Sequence, residues 1–120
     1  MTMTILVAED ETMMLKTIEL RLKKDGYTVQ TAKDGQEALD KLAETAPDLV
    51  ITDMMMPYAT GMDVIRKSKV LFPYTPVIIL SAMGNDNEIA EAIEAGAIDY
   101  LVKPFSLTEL SIRVKKMIEN

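Results

Sequence analysis

The amino-acid sequence predicts an α/β fold: a three-layer, doubly wound (βα)5 domain built on one parallel five-stranded sheet. Three observations lead there. Five short apolar runs recur along the 120 residues, and four of them are nearly continuous rather than alternating. Segments of helical period separate them. Gly26, Gly35, Gly61, Gly84 and Gly96 each fall near a segment boundary, where a tight turn needs little side chain. Strict alternation of strand and helix at this length leaves a parallel sheet with helices on both faces. Continuous apolar strands are what burial on both faces selects.

The first run is ILVA (Ile5–Ala8), followed by Met14, Ile18 and Leu22 on one helical face. The second, TVQT (Thr28–Thr31), alternates and is therefore placed at a sheet edge. A helix starting at Asp34 follows, with the stripe Ala38, Leu39, Leu42 and Ala43. The third run, LVIT (Leu49–Thr52), leads through DMMMPYATG to the stripe Val64, Ile65, Ser68 and Leu71. The fourth, VIIL (Val77–Leu80), precedes a short stripe of Ile89, Ala92 and Ile93. The fifth, DYLV (Asp99–Val102), precedes Leu107, Leu110, Val114, Met117 and Ile118. Ser106, with Glu109 three residues on, has the pattern of a capping box. Nothing along the chain reads as a linker, a low-complexity tract or a repeat beyond the β-α unit. The expectation is a single domain over 1–120, with no output domain among these residues.

Composition excludes several functions. There is no cysteine and no histidine. That removes disulfides, zinc-ribbon ligands, the usual general base and the Ser-His-Asp triad. It also means that this chain cannot itself carry a phosphohistidine. A net charge of −6 argues against direct contact with nucleic acid or a membrane surface. The N-terminal MTMTILVAED reaches an acidic pair before a long apolar run develops, and no stretch approaches the roughly 18 residues of a membrane span. A cytoplasmic protein in a reducing compartment is expected.

In open α/β sheets, ligands gather outside the carboxyl ends of the strands. Here those ends carry Glu9-Asp10, Asp53, Ser81 and Lys103. Taken singly, each has an ordinary role: a solvated helix cap, a turn residue, a turn hydroxyl, a surface charge. Together they place three carboxylates, a hydroxyl and an ammonium at one edge. Three clustered carboxylates repel, and without a cation one should take up a proton. A hard divalent ion such as Mg²⁺ resolves this with oxygen ligands. The loop AEDETMML after the first run offers acid where a nucleotide site needs glycines and backbone N–H groups.

With these residues in place, the chain resembles the response-regulator receiver domains of two-component signalling along essentially its whole length. The matching features are Glu9-Asp10, Asp53 with Met56-Pro57 and Gly61, Ser81-Ala82, and GAIDYLVKPF (Gly96–Phe105). The resemblance implies a flavodoxin-like receiver fold with strand order 2-1-3-4-5. It implies that Asp53 accepts a phosphoryl group from a histidine kinase, a histidine phosphotransfer protein or a small phosphodonor. Mg²⁺ would be held by Asp10, Asp53 and the backbone carbonyl of Met55, with Glu9 acting mainly through metal-bound water. Lys103 would pair with the acyl phosphate, Ser81 would hydrogen-bond it, and Tyr100 would rotate inward. The Lys103–Pro104 peptide would be cis. The product is a conformational switch rather than an enzyme, apart from self-catalysed gain and loss of its own phosphoryl group. DYLVKPFSLTELSIRV further resembles regulators whose receivers dimerise through helix 4, strand 5 and helix 5, with Asp99, Glu109 and Arg113 matching charges that cross that interface. The fourth helix segment, NDNEIAEAIEAGA, carries no Lys or Arg, so the basic partner for Glu109 is missing.

Departures from the family pattern carry information. Glu9 stands where Asp is commoner. Met55 and Met83 stand where polar side chains are frequent, and a thioether cannot orient an attacking water. Slow hydrolysis of the phosphorylated form is expected. Met54 is expected to pack near the base of the loop, and Met56 to fill core under the loop as a flexible apolar filler. Thioethers select soft ions, so DMMMPYATG is not a soft-metal site. Two other classes compete. A haloacid-dehalogenase-like phosphatase also pairs Asp, Ser/Thr, Lys and Mg²⁺, but its nucleophile follows the first strand in a D-x-D pattern that Asp10-Glu11-Thr12 lacks. A pseudo-receiver would have lost site residues, and none is lost outright.

Overall fold

The computed structural model describes residues 2–119. Five β-α units follow in strict alternation: β1 (Thr4–Ala8), α1 (Thr12–Lys24), β2 (Thr28–Ala32), α2 (Gly35–Thr45), β3 (Leu49–Asp53), α3 (Gly61–Leu71), β4 (Val77–Ala82), α4 (Asp86–Ala95), β5 (Asp99–Lys103) and α5 (Leu107–Ile118). All strand pairs are parallel, in the order β2-β1-β3-β4-β5. The expected fold class and strand order both hold.

Two apolar clusters fill the two faces of the sheet. Successive strand side chains point to opposite faces. Ile5, Val7, Leu49, Ile51, Ile78 and Leu80 therefore pack with Ile18 and Leu22 of α1 and Leu110 and Val114 of α5. Leu6, Ala8, Val50, Val77 and Ile79 pack with Ala38, Leu42, Val64, Ile65 and Ala92 of α2, α3 and α4. Burying each large aliphatic side chain contributes about 1.5–3 kcal/mol. That term holds the three layers together, since the helices are too short to be stable alone.

Several local expectations need correction. Ala43, Leu71 and Ile93 were assigned to buried stripes, and all three are exposed. Ala43 and Ile93 each lie one residue beyond a fully buried position, Leu42 and Ala92, off the line that faces the sheet. Leu71 is the last residue of α3, three beyond the buried Ser68. The run DYLV was read as covered on both faces. It forms the second edge of the sheet, where Leu101 alone of β5 is fully buried and Tyr100 is exposed. The capping box at α5 forms only in part. Ser106 accepts from the Glu109 backbone N–H at 2.9 Å, while the Glu109 carboxylate turns to Arg113 at 3.5 Å. A complete box forms at α3 instead, between Thr60 and Asp63.

The parallel register prepares the functional edge. Ala8 lies beside both Ala32 and Thr52, Asp53 beside Leu80, Ser81 beside Val102, and Ala82 beside Lys103. Asp53 and Lys103 thus occupy the last positions of their strands and Ser81 the last but one of its own, rather than the loops after them. Their backbones are fixed by the ladder. No helix among the described residues is long and apolar enough to cross a membrane.

Candidate functional site

Glu9 follows β1 and is completely buried. Neither it nor Asp10 caps α1. Glu11 does so, accepting from the backbone N–H groups of Met13 and Met14 at 3.1 and 3.0 Å. That rules out the ordinary capping role and leaves Glu9 and Asp10 free to serve the site. The Glu9 Oε2 atom accepts from the Glu11 N–H at 3.1 Å, and Oε1 stands 2.8 Å from Lys103 Nζ. This second contact is a close ion pair whose angle lies outside hydrogen-bond geometry, so Oε1 keeps acceptor capacity. Asp53 is nearly buried; Oδ1 accepts from the Met54 N–H at 2.8 Å and Oδ2 lies 3.2 Å from Lys103 Nζ. Carboxylate oxygens of Glu9, Asp10 and Asp53 come within 4.8 Å of one another.

The electrostatics follow from that crowding. Burial pushes the Glu9 carboxyl up to about 7, against the opposing Lys103 contact and Glu11 N–H, and the charge of Asp53 adds to the rise. The buried Glu9 therefore holds a proton more readily than an ordinary glutamate does. Burial alone would lower the Lys103 ammonium, but Glu9 and Asp53 outweigh it and the net shift is upward. Lys103, expected beside an acyl phosphate, acts here as countercharge to the acids themselves. The donor set suits Mg²⁺: every side-chain ligand candidate is a hard oxygen, and one buried oxygen retains capacity.

The other expected residues fall around this centre. Ser81 is fully buried at the end of β4, one strand over from Asp53. Tyr100 points outward, 41% exposed. Met55 and Met83 are 68% and 76% exposed, whereas Met54 and Met56 are buried among the residues of α2, α3 and α4. The Lys103–Pro104 peptide is cis. Asp99, Arg113 and Glu109, matched to charges that cross between partners, are paired within one chain. Arg113 lies 2.6 Å from Asp99 and 3.5 Å from Glu109.

Sequence reasoning missed three contributors. Gly35 and Gly61 were read as turn residues, yet neither has a positive φ. Each is required by close approach. A Cβ on Gly35 would meet the Ala59 carbonyl oxygen at 1.8 Å, and one on Gly61 would meet the Asp53 carbonyl oxygen at 2.4 Å. The third is Glu88 of α4, whose Oε1 accepts from the Ser81 hydroxyl at 3.3 Å. The fourth helix segment had been read for its apolar stripe and its lack of basic residues, not for its acids.

A doubly wound sheet with an acidic pocket and a lysine at the carboxyl ends of its strands defines an α/β domain with a site suited to a divalent cation beside a phosphoryl group. Residues 5–115 match the family described as "Response regulator receiver domain", and the chain belongs to that family. It is 40% identical over 114 residues to the transcriptional regulatory protein PrrA of Mycobacterium leprae, covering 95% of this chain and 49% of the relative. It is 37% identical over 118 residues to the response regulator MprA of Mycolicibacterium vanbaalenii, covering 98% of this chain and 51% of the relative. The chain thus spans about half the length of the curated relatives it matches. Among solved structures, a response regulator receiver domain protein from Clostridium thermocellum superposes with a TM-score of 0.91 at 39% identity, covering 98% of this chain and 94% of that one. The receiver domain of Francisella response regulator 1452 gives 0.90 at 35%, with 98% of both chains covered. The protein is a receiver domain of two-component response regulators.

Proposed function

We propose that Asp53 is the phosphoacceptor and that the pocket around it is a Mg²⁺-dependent self-phosphorylating switch. The observation that carries this is the position of Asp53, within 4.8 Å of Glu9 and Asp10 and 3.2 Å from the Lys103 ammonium. The chain has no histidine, so a phosphohistidine donor belongs to a separate histidine kinase or histidine phosphotransfer protein. An Asp53 carboxylate oxygen attacks phosphorus, the P–N bond breaks as the P–O bond forms, and the imidazole leaves. Glu9, Asp10, Asp53 and the Met55 carbonyl would hold the ion, which when bound neutralises charge on the transferring phosphoryl group. Lys103 moves from the acids to the acyl-phosphate oxygens, Ser81 donates its hydroxyl to them, and Tyr100 turns inward. The output is a population shift biased by those new contacts. The domain works in the cytoplasm and touches neither nucleic acid nor membrane. It has no turnover beyond its own phosphoryl group.

Acetyl phosphate plus Mg²⁺, followed by intact mass, tests this. A gain of one phosphoryl group, lost in Asp53→Asn, is expected. No gain despite bound Mg²⁺ points to a pseudo-receiver, and steady phosphate release from varied monoesters points to a phosphatase.

Met55 and Met83 tune the lifetime of the phosphorylated form. Both thioethers are exposed, with Met55 two residues beyond Asp53 and Met83 two beyond Ser81, and neither can hydrogen-bond an attacking water well. A double variant, Met55→Asn with Met83→Glu, is expected to lose acyl phosphate several-fold faster. Equal decay rates would remove the methionines from the account.

A phosphorylation-linked homodimer through α4, β5 and α5 is the second proposal on partners. Ile93, Tyr100 and Ile112 are exposed there, and Arg113 would have to exchange its pairing within the chain for one across the interface. Sedimentation with and without beryllofluoride and Mg²⁺ should show a dimer only with both. An unchanged monomer rejects it.

A further inference from the structure

Ser81 has a single hydroxyl proton, and two oxygens lie within reach of it: the Ala82 carbonyl at 3.4 Å and Glu88 Oε1 at 3.3 Å. Ser81 is fully buried and Glu88 half-buried, so water competes poorly for this contact. Glu88 belongs to the first turn of α4, where an acid is favoured by the helix dipole. The rest of that helix is loosely anchored: Ala92 is its one fully buried residue, and its N-cap Asn85 makes no side-chain capping bond. A carboxylate at the free end of a weakly packed helix therefore holds the hydroxyl assigned to phosphoryl recognition.

We propose that Glu88 is a positioning residue for Ser81: its carboxylate holds the hydroxyl away from Asp53, and phosphorylation acts on α4 by taking that hydroxyl from Glu88. This rests on the reading of Asp53 as phosphoacceptor and Ser81 as phosphoryl ligand. An aspartyl phosphate brings about −1.5 to −2 of charge with strong acceptor oxygens, by analogy with other phosphorylated side chains. Ser81 has one proton to donate, so it can serve Glu88 or the phosphoryl group but not both. When it turns to the phosphoryl group, Glu88 is left half-buried without that donor, beside a site that has gained negative charge. Both changes favour outward movement of the first turn of α4. The Ser81–Glu88 bond is thereby the link between chemistry at Asp53 and the surface of the fourth helix.

The probe is beryllofluoride with Mg²⁺, titrated into wild type, Glu88→Gln, Glu88→Ala, Ser81→Ala and the Ser81→Ala/Glu88→Gln double variant. Glu88→Ala, which removes the acceptor, is expected to tighten beryllofluoride about fivefold or more, the size of a typical coupling between sites, and Glu88→Gln, which keeps a weaker neutral acceptor, to tighten it by less. In the Ser81→Ala background, Glu88→Gln should change affinity by less than about twofold, because the coupling runs through the hydroxyl. Amide shifts of residues 86–95 in unliganded Glu88→Gln should move toward their beryllofluoride-bound positions. Unchanged affinity in both single Glu88 variants overturns the proposal. Equal tightening with and without Ser81 also overturns it, since Glu88 would then act by charge alone. Failure of wild type to bind the probe overturns the phosphoacceptor reading first and this proposal with it.

Discussion

Gly61→Ala is expected to lower stability by about 3 kcal/mol and to slow phosphorylation by about 10²-fold in whatever fraction stays folded. The new Cβ would stand 2.4 Å from the Asp53 carbonyl oxygen and 2.7 Å from Met54 Cα. Both are backbone atoms, so no flexible side chain can yield. The Gly61 N–H also donates to the Met54 carbonyl at 2.8 Å, which locks the start of α3 onto the end of β3. Relief of the clash has to break that bond or shift Asp53 itself. The same loop is clamped from its other side. Gly35, at the start of α2, donates to the Pro57 carbonyl at 3.1 Å and lies against Ala59. Between the two clamps Tyr58 is held at φ 72, a conformation costly for a residue with a side chain. Two glycines thus fix the loop that follows Asp53 and carries the Met55 carbonyl. Urea unfolding and the rate of mass gain from acetyl phosphate check this. A variant with both values unchanged would show that the backbone yields freely.

This clamp was not legible in the sequence, because a close approach between α2, α3 and one loop exists only in the folded chain. What was legible follows from two periods and one rule. The period of two and the continuous apolar runs placed the strands, and the helical period placed Ile18, Leu22, Ala38, Leu42, Leu110 and Val114 in the core. The rule that parallel strands present their carboxyl ends at one edge then brought Glu9, Asp10, Asp53, Ser81 and Lys103 together. The misses have a common cause. DYLV has the composition of a central strand, and only topology makes it an edge. Ala43 and Ile93 fall just off the line of their helices that faces the sheet, and Leu71 ends α3 beyond the buried Ser68. Glu88 sits seven residues beyond Ser81 in sequence and meets it because α4 starts directly above the end of β4. The alternation of TVQT, by contrast, named its edge correctly because exposure of one strand face is written in the strand itself.

Glu9→Gln is expected to stabilise the metal-free domain by about 3 kcal/mol at pH 8 and by almost nothing at pH 4. Burial raises the Glu9 carboxyl from 4.5 to about 7. A folded value above the unfolded one means that the native state binds the proton more tightly. Below pH 4.5 both states are protonated and no penalty exists. As pH climbs from 4.5 to 7 the unfolded chain gives up its proton and the folded one resists, so wild-type stability falls across that window and stays lower above it. Glutamine removes the titration and keeps an acceptor for the Glu11 N–H, but its NH2 replaces the oxygen that stood 2.8 Å from Lys103. The ammonium therefore has to turn wholly to Asp53 at 3.2 Å, a pH-independent cost that the comparison between pH 4 and pH 8 cancels. The difference between the two urea-unfolding curves, measured in chelator from pH 4 to 8, isolates Glu9 from every other carboxylate. Saturating Mg²⁺ should return much of the deficit to wild type at pH 8 and little to the variant, because a cation stabilises the ionised acid only where the acid is present. Parallel stability profiles in chelator would mean that Lys103 already compensates the buried charge in full. The expected divergence would instead mean that the domain holds a destabilised carboxylate in place for a ligand to relieve, a strained site maintained by the packing beneath it.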